Sequence, residues 1–543
     1  MPLLRPIRLH RRPAVDALLL VAAVALAFFL LQSAVAHPRR LVMVSDSARF
    51  DADAALYNTR LLSDTFRFRT TGSAQGHAAA GWLASRFEQL GLDVRQQEFE
   101  LSVRGQRVTG RNVVAHSGGR MPGAVVLMAH FDGPTTSGQS AGASASGVGT
   151  MLELARVLES KPHRRPFIYV AADAGTWGHV GAAAYARSIA HPDSIVAAIS
   201  IDHVANGPAT GVALAGAAQG PGYAPLWLRV AAADAYAVDG TAVQDAGPVR
   251  EWYLRTIRLS EEDQGPLVAR GIPAVNLGTV PARPSYAQFL HHTPGDRVET
   301  LEPPAFRVLG AGIERLVLAL DRNEQTTGPF EYLRVGGDRM VRGVAILLAA
   351  IALFLPLLLT TWEALHTTRV DPAARAAIRS ETVRALGWWL IAGAGYLALQ
   401  GLVVTGMLPR FEIYPATERD PFIFAVRWVP MLVVLVVTTL AAYGLALVRR
   451  RLRLVSYHPY AGRAVALATL VILAAIALVR NPFATVWLLA LPAWLWPWIG
   501  PTRRSLTGAT GTILVVLSAA PAFVIALVIG QRYQLGIRTG WYL

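Results

Sequence analysis

The chain contains no cysteine. Disulfides and thiolate metal sites are thereby excluded, leaving His, Asp and Glu as possible metal ligands. Lysine is almost absent as well. Lys161 is the only one, so nearly all of the 51 Lys and Arg residues are arginine, against 36 acids, for a net charge of +15. There is no internal repeat and no low-complexity run. The apolar stretches after residue 342 carry no acid or base in their middle. Coupled transporters usually place such groups there, so this absence speaks against transport.

What is present is 543 residues, 53% of them hydrophobic, enough for several domains. A basic chain can signify nucleic acid. Here the arginines instead cluster beside long apolar segments, the positive-inside pattern of membrane proteins, and no nucleic-acid partner is expected.

Residues 1–13, with Arg5, Arg8, Arg11 and Arg12, read as a cytoplasmic tail. Residues 14–36 are apolar with Asp16 as their only charge, long enough to span a bilayer. Ala34-Val35-Ala36 resembles a cleavage site, so a removed signal peptide is the competing reading. The apolar run is longer than a usual signal core, which favours an uncleaved transmembrane anchor. Either reading places the following domain outside the cytoplasm.

Residues 41–335 read as one soluble domain. Trp82, Leu83, Phe87 and Leu90 share one face of an expected helix from Ala79 to Leu90, stopped by Gly91. Asn112–Ala115, Val125–Ala129, Phe167–Ala171 and Ile195–Ile201 read as buried strands, with helical patterns between the last three. That alternation predicts an α/β fold with a largely parallel sheet.

After Arg342 six further apolar spans follow within residues 343–530: about 343–362, 386–408, 428–448, 464–479, 482–500 and 507–530. Residues 531–543 form a C-terminal tail. The joins 363–385 and 449–463 are rich in Arg, and a third holds Arg503 and Arg504. Residues 409–427 mix Arg410, Arg419 and Arg427 with Glu412, Glu418 and Asp420. The basic joins are expected in the cytoplasm. The resulting expectation is an integral, multi-pass protein of the inner membrane with seven spans, the N-terminus inside, and the soluble domain and C-terminus on the extracytoplasmic (periplasmic) side. Trp428, Trp494, Trp496, Trp498 and Trp541 suit interfacial positions, and membrane lipid is an expected partner.

The stretch Val125–Leu158 carries the chemistry. A buried strand ends in His130-Phe131-Asp132, a small-residue loop follows, and then a helix with Met151, Leu152, Leu154, Ala155 and Leu158. Open α/β sheets place their sites at such strand ends. Two more strands end in Asp173 and Asp202, and His291-His292-Thr293-Pro294-Gly295-Asp296 comes later. Parallel strands bring their carboxyl ends to one edge, so carboxylates and imidazoles are expected to converge there. The isolated His77, His116 and His163 read as surface or core residues.

These segments resemble the M28 metallopeptidase family, whose members include zinc aminopeptidases, over roughly residues 55–320. The matching segments are Arg69-Thr70-Thr71-Gly72-Ser73, Asn112 to Ala115, Ala129-His130-Phe131-Asp132 and Ala145-Ser146-Gly147-Val148. Gly178-His179-Val180-Gly181 with Tyr185, Ile201-Asp202, Gly271 to Val275 and His292-Thr293-Pro294 match as well. The anchor, domain and multi-span order is also similar to the family's membrane-bound members. The resemblance implies an aminopeptidase-like (phosphorylase/hydrolase-like) mixed sheet flanked by helices, joined here to an all-α transmembrane region. It implies His130, Asp202 and His292 as residual metal ligands. It further implies a catalytic part for Asp132, which orients the site, and for Asp173, the acid nearest the family's glutamates.

The departures from the family pattern are specific. The bridging Asp is replaced by Ala143, and the Glu-Glu pair has no counterpart in Ala172-Asp173-Ala174-Gly175-Thr176-Trp177. Two adjacent dications need a shared anionic ligand, and a catalytic zinc normally has three protein ligands. Neither half-site reaches that count. The leading expectation is a catalytically impaired domain that binds a peptide or protein. An active zinc exopeptidase with a rebuilt site, using Asp173, His179, His203 or His291, is the alternative. A membrane assembly factor acting through its six spans is the third reading. Zinc or no cofactor at all both stay open.

Overall fold

The computed structural model describes residues 13–44, 48–103, 106–204, 207–283, 290–405, 407, 428–452, 458–495, 508–524 and 527. The expected tails, the mixed-charge join 409–427, Arg503 and Arg504, and Trp496, Trp498 and Trp541 lie outside them. Two compact units are present, one of residues 35–343 and one of the flanking segments.

The strands are β1 (Val35–Ala36), β2 (Asp93–Val103), β3 (Gln106–His116), β4 (Ala124–His130), β5 (Phe167–Ala172), β6 (Ile195–Ile201), β7 (Ala209–Ala215), β8 (Val243–Gln244), β9 (Ala274–Pro281), β10 (Tyr332–Gly336) and β11 (Arg339–Arg342). The first unit's helices are α2 (Ala52–Thr65), α3 (Ala74–Glu88), α4 (Ser146–Glu159), α5 (Val180–Ser188), α6 (Leu226–Ala237), α7 (Pro248–Ile257), α8 (Gln264–Ala269) and α9 (Pro303–Arg322). α1 (Pro13–Ser33) belongs to the second unit.

Eight strands form one sheet in the order β2-β3-β5-β4-β6-β9-β7-β8. β5, β4, β6 and β9 run parallel, while β2–β3, β3–β5 and β7–β9 are antiparallel. The sheet is therefore mixed, an α/β architecture with a parallel centre. Every residue of β4, β5 and β6 is buried, as the uniformly apolar runs require of strands covered on both faces. The chain passes from β4 to β5 on one side and then crosses to β6 on the other. β4 thus lies at the switch point, where the connections diverge and leave a crevice at the carboxyl edge.

α3 begins five residues before the expected Ala79, because the Ser73 side chain accepts from the Gly76 amide and caps it. It ends at Glu88, with Gly91 at φ +79° beyond it. α4 packs closely on α2: a Cβ at Gly149 would stand 2.1 Å from Thr59 Oγ1 and 2.5 Å from the Ala55 carbonyl, so only hydrogen fits there. At the unit's ends, Val35 and Ala36 pair with Val341 and Met340 in a three-stranded sheet. Removal of the chain through Ala36 would strip that sheet of β1.

The second unit contains α10 (Gly343–Val370), α11 (Pro372–Val404), α12 (Trp428–Arg451), α13 (Pro459–Arg480), α14 (Pro482–Leu495) and α15 (Gly508–Ser518). Among the described residues, four helices, α10 to α13, are long and apolar enough to cross a membrane. The segments Leu18–Ser33, Pro482–Leu495 and Thr512–Val524 are shorter apolar helices. Pro356 lies inside α10, and the Trp494 indole of α14 donates to the Leu353 carbonyl one turn earlier, at 2.9 Å.

Candidate functional site

The carboxyl edge of the parallel strands gathers the expected side chains. His130 and Ala172 are register partners, so Asp132 and Asp173 leave adjacent strands at the same level. Asp202 follows β6 directly, its amide bonded to the Leu277 carbonyl of β9. All four of His130, Asp132, Asp173 and Asp202 are buried.

Their partners differ from those the resemblance implies. Asp132 accepts from the Gly175 amide at 2.7 Å, the Thr176 amide at 3.1 Å and the Thr71 hydroxyl at 3.5 Å. It also accepts a very short bond from the Thr176 hydroxyl. The loop after β5 thus occupies the carboxylate beside His130. Asp173 accepts from the Thr71 hydroxyl at 2.9 Å, the Arg111 amide at 3.0 Å and the Ala174 amide at 2.7 Å. Burial and the neighbouring Asp132 push the Asp173 carboxyl up to about 7, against the pull of those donors.

His130 is held by an acid that the sequence patterns did not single out. Its Nδ1 lies 3.5 Å from Asp263 Oδ2, and His179 Nδ1 lies 2.9 Å from Asp263 Oδ1. Asp263 therefore bridges two imidazoles 6.3 Å apart, ring centre to ring centre. Burial opposes protonation of His130, but Asp202, Asp263 and Asp132 outweigh it and raise its pKa to about 10. His179 is raised for similar reasons, by Asp263. Burial alone would lift the Asp263 carboxyl, yet the two imidazoles hold it well below the usual carboxylate range. Glu262 beside it is pushed up to about 7 by burial, Glu261 and Asp202. The signal for this pair was present in Ser260-Glu261-Glu262-Asp263, just ahead of Gly271-Ile272-Pro273, but nothing local marked which acid turns inward.

Space is closed as well. A Cβ at Gly175 would stand 2.4 Å from His130 Cγ. Residues 172–177 are where the family's glutamates would fall, and there the His130 ring rests against bare backbone. On the other flank, Asp296 accepts from the Gly142 and Ala143 amides at 2.7 and 3.1 Å, so a carboxylate does reach the Ala143 position, but as a clamp on the backbone. Arg69 fastens the same loop, donating to the carbonyls of Phe131, Gln139 and Ser140 and to the Ser144 hydroxyl. Burial lowers its pKa to about 10 despite Asp132 and Asp296.

His292 is joined to Asp202 through two other imidazoles. It stacks on His291 at 3.8 Å, His291 meets the edge of His203 at 4.7 Å, and His203 Nδ1 lies 3.6 Å from Asp202 Oδ1. Among the described residues no group of three or more His, Asp or Glu side chains is arranged to hold a metal ion. Among the described residues the donors as placed do not fit zinc. Of the isolated histidines, His77 meets the Thr109 carbonyl, and His163 meets the Arg165 carbonyl and Glu159.

Backbone strain collects at this edge. Ser140, Ala174, His179, His203 and His292 all sit at positive φ, between +43° and +60°. Such conformations persist for non-glycine residues only where the surroundings enforce them.

The family model described as Peptidase family M28 matches residues 112–317. The "Alkaline phosphatase isozyme conversion protein" of Escherichia coli (strain K12) is 28% identical over 166 residues, covering 26% of this chain and 48% of the relative. The chain thus spans about half the length of the curated relative it matches. The fold is similar to an aminopeptidase from Aneurinibacillus sp. strain AM-1, at 15% identity and TM-score 0.43, over 52% of this chain and 96% of that one. It is similar also to Porphyromonas gingivalis glutaminyl cyclase, at 21% identity and TM-score 0.41, over 50% of this chain and 99% of that one. Over residues 112–317 the chain accordingly matches the model of peptidase family M28.

Proposed function

We propose that this M28 domain binds a peptide or protein without efficient hydrolysis, held at a membrane by its anchor and multi-span region, on the periplasmic side. One observation carries the reading. His130, the residue that would ligate metal, is instead paired with Asp263 and packed against Gly175. Asp263 occupies Nδ1 of that ring, and a glutamate at residue 175 would have to displace the ring. Loss of a general base costs on the order of 10²–10⁴ in rate even where the metal stays.

The strained, buried and charged edge supports retained binding. Strain of this kind is held where geometry is specified, and the crevice at the β4 switch point is where an α/β sheet receives its ligand.

The test is release of amino acids from unblocked peptides by the full-length protein, with and without added zinc, compared with His130→Ala. Marginal turnover, unchanged by zinc or chelator, is expected in both. Robust turnover lost in His130→Ala would overturn the proposal. It would point to a rebuilt zinc exopeptidase site, with Asp173 and His179 the first residues to substitute.

A further inference from the structure

The α/β unit holds a small pocket that the strand-edge crevice does not account for. Its volume is about 80 Å³, and it is lined by Asn58 of α2, Arg86 of α3, Leu90 just beyond α3, and Leu152, Glu153 and Arg156 of α4. Glu153 and Arg156 lie in the second half of α4, away from the strand-edge loop that leads into its first turn.

The acceptors of this pocket are engaged and its donors are open. Glu153 is 1% exposed, and both its oxygens have partners. Oε1 accepts from the Asp51 amide at 3.0 Å and from Arg156 Nη2 at 2.6 Å, and Oε2 accepts from Arg156 Nε at 2.8 Å. Asn58 Oδ1 accepts from Arg86 Nη2 at 3.2 Å, and Gln89 Oε1 from Arg86 Nη1 at 3.0 Å. Among the described residues no acceptor meets Asn58 Nδ2, Arg86 Nε or Arg156 Nη1. Asn58 is 7% exposed, so the pocket is the opening onto which its amide can donate.

Charge points the same way. Two guanidiniums line the pocket against one carboxylate. Asp51, the other acid acting on Arg156, turns Oδ1 to the Asp53 and Ala54 amides at the start of α2. A cavity that offers N–H groups and no open carboxylate suits an oxyanion, since charge-assisted hydrogen bonds to guanidinium are the strong ones. An excess of one positive charge matches a monoanion better than a phosphate dianion. The volume has room for a carboxylate group and a short chain. Leu90 and Leu152 give that chain an apolar wall.

We propose that Asn58, Arg86 and Arg156 form a binding site for a small aliphatic carboxylate. The site stands apart from the strand edge and does not depend on what that edge binds.

The experiment follows the melting temperature of the full-length protein, titrated with propionate against chloride at constant ionic strength. A saturable rise in millimolar propionate is expected. Arg156→Gln should raise the half-saturating concentration about tenfold, the worth of one charged hydrogen bond. That variant strips the buried Glu153 of its guanidinium, so a second one guards against a failure to fold. Asn58→Asp keeps the acceptor for Arg86 and puts a negative charge in place of the open donor, and it should abolish the response. An unchanged response in Asn58→Asp overturns the proposal. Arg60→Gln removes an exposed charge from the same helix, outside the lining, and should leave the response as it was. Equal loss in Arg60→Gln and Asn58→Asp would show a diffuse basic surface and overturn the site, as would a rise that never saturates. An equal rise with propylammonium would overturn the anion, and a larger one with inorganic phosphate would overturn the carboxylate.

Discussion

Two clusters of buried charge lie in the α/β unit, and they are built from different residues. The first joins α6, α7 and β10. Arg229 pairs with Glu251 at 2.6 Å and Asp245 at 2.8 Å, and Arg255 pairs with Glu251 at 2.9 Å. Both guanidiniums lie over the Tyr223 ring, at 4.7 and 4.9 Å, and Arg255 over Tyr332 at 4.5 Å. The second is the His130–Asp263–His179 bridge at the strand edge. Arginine stays charged at any ordinary pH, so the first cluster is a permanent staple. Imidazole can shed its proton, so the second responds to its surroundings. The difference teaches where this fold requires permanence and where it keeps groups that can change state.

The largest break in the comparison is expected at Glu251. Burial pushes its carboxyl up, but Arg229 and Arg255 hold it below the normal value. Glu251→Gln leaves two buried guanidiniums without their shared anion, and neither can neutralise. A loss of about 3–5 kcal/mol in denaturant unfolding is expected. A loss under about 1 kcal/mol would show that the staple is dispensable.

Asp263→Asn is expected to cost less, about 2–3 kcal/mol at neutral pH, because His130 and His179 can discharge instead of remaining buried cations. Its pH dependence sharpens the contrast. His130 titrates near 10 when folded, above its unfolded value of about 6.5. The stability it contributes is complete below about 6.5 and lost as pH rises towards 10. Asp173 and Glu262 act in a lower window: raised to about 7, they erode stability as pH climbs from about 4 to 7. Melting temperature should therefore fall between pH 6.5 and 10 in the wild type and fall less in Asp263→Asn. Parallel curves would show that Asp263 does not set the His130 charge.

The smallest effect tests the steric half of the argument. Gly175→Ala places a methyl 2.4 Å from His130 Cγ. A destabilisation of about 1–2 kcal/mol is expected, at the low end for overpacking because an imidazole can turn away. A neutral result would mean that the loop has room for a side chain, and the case against a glutamate at residue 175 would weaken.

Much of the architecture was legible from local pattern. β4, β5 and β6 announced themselves as uninterrupted apolar runs, and His130, Asp132, Asp173 and Asp202 followed from strand ends. β2, β7 and β9 were less visible. β2 carries the polar run Arg95-Gln96-Gln97-Glu98 at an antiparallel edge, and β7 and β9 draw their pairing from strands far away in the chain. The start of α3 was misplaced because Ser73 caps it ahead of the apolar periodicity.

The chain's own order of residues determined the absence of cysteine chemistry, the apolar helices, the strand-end acids, and the lack of an acid at 143 and of glutamate at 172–177. These depend on neighbours within a few positions, where propensity and periodicity act. Which carboxylate holds His130 was decided only by the tertiary structure. Asp263 lies 133 residues from His130 and 84 from His179, and only the packing of α8 against α5, β6 and β9 brings the three together. Local pattern places an acid on an element; the packing of one element on another decides which cation it meets, and so which carboxylate a histidine is paired with.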